Sequence, residues 1–172
     1  MKKTILAVAM CFACVTPFAN AHDGQVNFNG RIIENGCEVV TKSLDVNLGQ
    51  ISKEALAGGK GTTTSATRFD LVLKSCPVSV SKASVIFDGE RAIAGEDNVL
   101  KLTQGEGVAE GVGIQLRDSN QQVLPLHQSS ISMPLVADAD NKLGFTAQYI
   151  ALGDNVTAGE ANGVANFTIQ YN

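Results

Sequence analysis

The sequence predicts an all-β fold of the sandwich class. Apolar and polar residues alternate in many short stretches, which turns one face of each toward a core and the other toward solvent. Turn-forming residues separate these stretches at close intervals. A helical reading fits one turn only, at 52–57, where Ser52 caps and Ala55 and Leu56 pack. Tryptophan is absent and aromatics are 5% of the chain, so the core must rest on Val, Ile, Leu and Phe.

Residues 1–21 read as an export signal, outside the fold. Lys2 and Lys3 give the positive start, residues 5–15 are apolar but too short to span a bilayer, and Ala19-Asn20-Ala21 is a small-x-small cleavage site. Cutting is expected between Ala21 and His22. That removes 21 of 172 residues and leaves 151, enough for one domain. Loss of Lys2 and Lys3 takes the formal net charge from −4 to −6, a poor basis for binding nucleic acid. No later apolar run is long enough for a membrane helix, so the mature chain is not expected to be membrane-inserted. Cys11 and Cys14 form a C-x-x-C, but within the signal, where redox and metal readings lapse.

The stretch 25–34 then alternates. Val26, Phe28, Gly30 and Ile32 fall on one side of an extended strand, and Gln25, Asn27, Asn29 and Arg31 on the other. Gly30 has no side chain to pack and marks a close approach. Such a strand is either the first of an ordinary sandwich or one given to another molecule. Cys37 and Cys76 are the only cysteines after the signal, and in an exported chain two cysteines most simply form one disulfide. It would close a loop of about 40 residues, a stabilisation of roughly 4 kcal/mol on a chain-entropy model.

Strand expectations continue through 37–40, then through Leu44, Val46 and Leu48. A glycine- and threonine-rich loop covers 58–64. Phe69, Leu71 and Leu73 alternate up to Cys76-Pro77, where proline ends the ladder. Ala83, Val85 and Phe87 alternate and stop at the turn pair Asp88-Gly89. A short strand is expected at 99–103, another on Val112, Ile114 and Leu116, and a turn at 118–120. Val123, Leu124 and Leu126 follow, then 130–136. Phe145, Ala147, Tyr149 and Ala151 alternate, a loop fills 153–163, and Ala165, Phe167, Ile169 and Tyr171 alternate to the end.

No arrangement of residues points to catalysis. The glycines at 105–113 lack the following helix of a dinucleotide site, and Gly59-Lys60-Gly61 lacks the rest of a phosphate loop. There is no G-x-S-x-G, and His22 and His127 have no partner at metal-ligand spacing. The chain is therefore not expected to be an enzyme, nor to hold a cofactor or metal.

Across 30–37 and again across 159–171 the sequence resembles the type 1-like fimbrial subunits of the bacterial chaperone–usher pathway. Gly30 stands seven residues before Cys37, and Cys76 follows an alternating strand. Gly113-Ile-Gln-Leu116 precedes Asp118, and Phe145-Thr-Ala-Gln-Tyr149 precedes an ending with Gly159 fourteenth from the terminus and Tyr171 penultimate. The resemblance implies a signal peptide at 1–21, an N-terminal donor arm at 22–36 and a pilin domain at 37–172. It implies an incomplete immunoglobulin-like sandwich that lacks its last strand. Nothing after Tyr171 could close the sheet, which fits that expectation. Val26, Phe28, Gly30 and Ile32 would be the donated face, and Phe167, Ile169 and Tyr171, with Gly159, the receiving groove. The partners implied are a periplasmic chaperone, an outer-membrane usher and neighbouring pilin subunits. The product would be a surface fimbrium mediating cell adhesion. A minor adaptor, terminator or adhesin of the same pathway is the alternative; a tip adhesin resembles a two-domain chain, and this one has room for one.

Overall fold

In the computed structural model, residues 25–30, 32 and 36–172 are described. The expected cleavage site at Ala21 and His22 and the arm residue Arg31 lie outside them. Two units are distinguished, Met1–Ile32 and Ile33–Asn172.

Among the described residues the second unit holds nine strands: β1 (Glu38–Val39), β2 (Thr67–Lys74), β3 (Lys82–Asp88), β4 (Arg91–Ile93), β5 (Glu96–Leu100), β6 (Val112–Arg117), β7 (Met133–Pro134), β8 (Asn141–Ala151) and β9 (Asn166–Tyr171). One sheet runs β1-β2-β8-β6-β5-β4 and the other β7-β3-β9. Every pairing within them is antiparallel. This is the two-sheet sandwich that period-two alternation requires, with one face of each sheet buried against the other.

β8 is the centre of the larger sheet. It pairs with β2 from Thr67↔Ala147 to Leu73↔Asn141 and with β6 from Val112↔Ala151 to Arg117↔Thr146. Leu71, Leu73, Leu143 and Phe145 are almost fully buried beneath it, and Val85 of β3 meets them from the other sheet. Phe69, Phe87, Phe145 and Phe167 form a connected ring cluster, with Phe87 edge-on to Phe145 at 5.1 Å between centroids. Cys37 and Cys76 are disulfide-bonded and buried, tying the start of β1 to the end of β2.

Local rules explain the turns. Ser52 caps a 3-10 turn at Lys53–Leu56; Leu56 packs inward, whereas Ala55 is exposed, contrary to expectation. The Asp118 carboxylate accepts from the amides of Asn120 and Gln122 and shapes the expected turn. The 58–64 loop is pinned to β8 by Gly61 N to Ala151 O and Thr64 N to Tyr149 O.

Five stretches depart from the expected strands. Leu44, Val46 and Leu48 join no ladder. β4 is an extra strand, paired with β5 across the Ala94-Gly95 turn, and β5 begins at Glu96 rather than near Val99. Of 130–136 only Met133–Pro134 pairs, and Val123 makes a single bridge to Arg117. Alternation shows which way side chains point. Whether a strand exists depends on a neighbouring backbone, which a local pattern does not contain.

Candidate functional site: an open groove beside the last strand

β3 has neighbours on both sides, β7 and β9. β9 has β3 on one side, and among the described residues no strand on the other. Its inward row is Phe167, Ile169 and Tyr171, continuing backward through Ala165, Gly163 and Ala161. Each of these six stops at half-buried, while the inward residues of β3 (Ala83, Val85, Phe87) are buried. Both sets of side chains point at the same core. What differs is the missing cover on the open side of β9.

The opposite rim is the stretch 42–49. There Leu44 is exposed and Val46 and Leu48 are half-buried. Between the rims lies a groove of about 930 Å³. Its floor is core: Phe69 and Leu71 from β2, Ala147 and Tyr149 from β8, Ile114 and Leu116 from β6, Phe87 from β3. The groove thus has an apolar floor and two rims whose facing edges carry no ladder among the described residues, the condition that makes a sheet edge receptive to another strand.

Two tyrosines brace it. Tyr149 donates its hydroxyl to the Ala161 carbonyl at 3.0 Å, holding the 161–166 rim to the sheet. Tyr171 donates to the Cys37 carbonyl at 3.3 Å, so its side chain spans from β9 to the chain ahead of β1. Burial pushes both phenols up from the ordinary value, with the Glu160 carboxylate adding to the effect at Tyr149. Gly159 sits where the 153–163 loop crosses residues 107–109. A Cβ there would lie 2.4 Å from the Gly107 carbonyl oxygen, and Val108 bridges Glu160 next door, so only glycine fits.

Of the residues singled out in the sequence, Phe167 lines the groove. Ile169 and Tyr171 lie further along the same inward row, and Gly159 anchors the loop leading to the rim. In the other unit, Val26, Phe28 and Ile32 are 75%, 92% and 100% exposed, and residues 25–30 join no ladder. The 42–49 rim was not singled out as part of a site. Its signal was available in Leu44, Val46 and Leu48, an alternating row that reads as an ordinary strand until the partner is found missing. The exposed His127 bonds Asp88 at 2.9 Å, and no group of three or more His, Cys, Asp or Glu side chains gathers among the described residues.

A two-sheet sandwich with one side of its last strand uncovered is an incomplete immunoglobulin-like fold, the fold of pilus subunits. The family model for fimbrial proteins matches residues 26–172, and the chain belongs to that family. It is 36% identical over 170 residues to the type-1 fimbrial protein C chain of Escherichia coli, covering 96% of this chain and 91% of that one. Among solved structures, the type I fimbria protein and antigen of Burkholderia pseudomallei is similar at 34% identity and a TM-score of 0.61, over 81% of this chain and 91% of that one. The P pilus rod subunit PapA shares the fold at a TM-score of 0.66 and 22% identity, over 80% of this chain and all of that one. The protein is a structural fimbrial subunit, exported to the cell surface as a fimbrial component, and not an enzyme.

Proposed function

We propose that this subunit polymerises by donor-strand exchange, its N-terminal arm filling the groove of a neighbouring copy. The observation that carries the reading is the match between an uncovered groove with an apolar floor and an exposed stretch of alternating sequence in one chain. In the groove, floor and rims lack a covering strand. In the arm, Val26, Phe28 and Ile32 are all exposed. Strand addition supplies main-chain hydrogen bonds for affinity and side-chain pockets for register. Burying the three side chains contributes roughly 5–9 kcal/mol, at about 1.5–3 each. A one-residue slip would bury Asn27, Asn29 and Arg31 instead, which fixes the register. Repeated head to tail, the contact builds an open filament unless its geometry closes a ring.

On this reading residues 1–21 are the removed signal, 22–36 the arm and 37–172 the pilin domain. An uncovered groove is an aggregation hazard, so a periplasmic chaperone would hold it before the outer-membrane usher hands the subunit on. The finished fimbrium would mediate adhesion. The test is Ile32→Asp in chaperone-bound subunit. Chaperone binding is expected to persist and transfer into a neighbour to fail, read by filament formation in electron microscopy. Polymerisation of this variant at the normal rate would remove the arm from the mechanism.

A further inference from the structure

Tyr171 closes a contact that groove filling alone does not need. Its ring lies against Gly36, where a Cβ would sit 2.5 Å from the ring carbon Cε2, and its hydroxyl reaches the Cys37 carbonyl. With the ring in this position there is no room for a side chain at 36. Gly36 and Cys37 stand at the root of the arm, four and five residues after Ile32. Cys37 is fixed in turn to Cys76. One side chain thus joins the end of the groove-forming strand to the point where the arm leaves the domain.

We propose that Tyr171 and Gly36 form a clasp through which an occupied groove steadies the root of the same subunit's arm. The inference rests on the donor-strand reading above. Among the described residues β9 is bonded along one edge, and an edge strand opens locally more readily than one bonded on both sides. The Tyr171 ring is half-buried and belongs to the same inward row as Phe167. A strand laid along β9 would bond its second edge and suppress fraying of its end. That holds the ring on Gly36 and the hydroxyl on Cys37. A subunit that has accepted an arm then offers its own from a firmer base, which favours growth from the filament end over pairing of empty subunits. Tyr171 is a positioning residue here. It acts on the arm through Gly36 and Cys37.

The experiment uses purified subunit released from its chaperone, with and without a peptide copying residues 25–34, and reads amide hydrogen exchange at 36–40. In the natural protein, peptide binding is expected to slow exchange at these amides by about fivefold, the scale of one net hydrogen bond. Gly36→Ala, which displaces the ring, is expected to bind peptide but lose this slowing. Tyr171→Phe, which keeps the ring and removes the hydroxyl, should retain part of it. Peptide binding with unchanged exchange at 36–40 in the natural protein would overturn the clasp and leave the groove reading intact. Slowing that survives in Gly36→Ala would overturn the clasp equally. A peptide that fails to bind the natural protein would overturn the groove reading, and the clasp with it.

Discussion

The two sides of this sandwich are built from the same kinds of residue and differ in cover. β8 has β2 beside its first part, Asn141–Ala147, and β6 beside its second, Thr146–Ala151. Phe145 is 1% exposed, and Leu71 and Leu143 are buried with it. Around β9, Phe167 and Ile169 carry equivalent side chains in an equivalent row and remain half-exposed. Burial of apolar surface scales with area removed from water, so the closed side realises its stabilisation within the chain and the open side holds part of it in reserve. A missing neighbour, not a polar composition, leaves the second side uncovered.

The comparison breaks first at Phe145. Phe145→Ala is expected to cost about 3–5 kcal/mol, the usual range for a large aromatic removed from a core. Because this ring is covered within the chain, the loss should be the same with the groove empty or filled by the 25–34 peptide. Denaturant unfolding in both states measures it, and a loss that appears in one state alone would show that the two sides are not separable.

A rim substitution should behave in the opposite way. Leu44 is exposed on the 42–49 rim and has little to lose in the empty subunit. Leu44→Asp is expected to leave the stability of the empty domain within about 0.5 kcal/mol, as surface changes do. It should weaken peptide uptake about tenfold, which corresponds to about 1.4 kcal/mol. Titration calorimetry against the natural subunit reads the difference.

The smallest effect expected is at alkaline pH. Both tyrosines that brace the groove have phenols raised above the ordinary value by burial. A raised phenol stabilises the fold fully below the unfolded value of about 10 and loses that contribution as pH rises through the folded value. Stability is therefore expected to fall above about pH 10. The fall should continue to higher pH when a strand covers the groove, because deeper burial raises the folded value further and leaves the unfolded one unchanged. Denaturant midpoints from pH 8 to 11 would show it, and Tyr149→Phe with Tyr171→Phe should flatten the slope.

Much of the closed side was legible in the sequence. Phe69, Leu71 and Leu73, then Phe145, Ala147 and Tyr149, alternate without interruption, and both stretches became the long strands they suggest. The disulfide was readable because Cys37 and Cys76 are the only cysteines after residue 21. The open side was legible in composition but not in role. Leu44, Val46 and Leu48 read as one more strand, and the groove rim they form is defined by a ladder that does not exist. β4 escaped notice for a related reason. Three residues, Arg91–Ile93, are too few to show a period, and β5 across the Ala94-Gly95 turn brings them into the sheet.

The sequence by itself determined the faces: which side chains turn inward and where turns interrupt them. These follow from a two-residue period and local turn chemistry, which need no distant partner. Only the tertiary structure decided which of those inward rows find cover. That depends on backbones distant in the chain meeting at hydrogen-bonding distance, as β8 meets β2 and β6. Beside β9, no strand among the described residues does so.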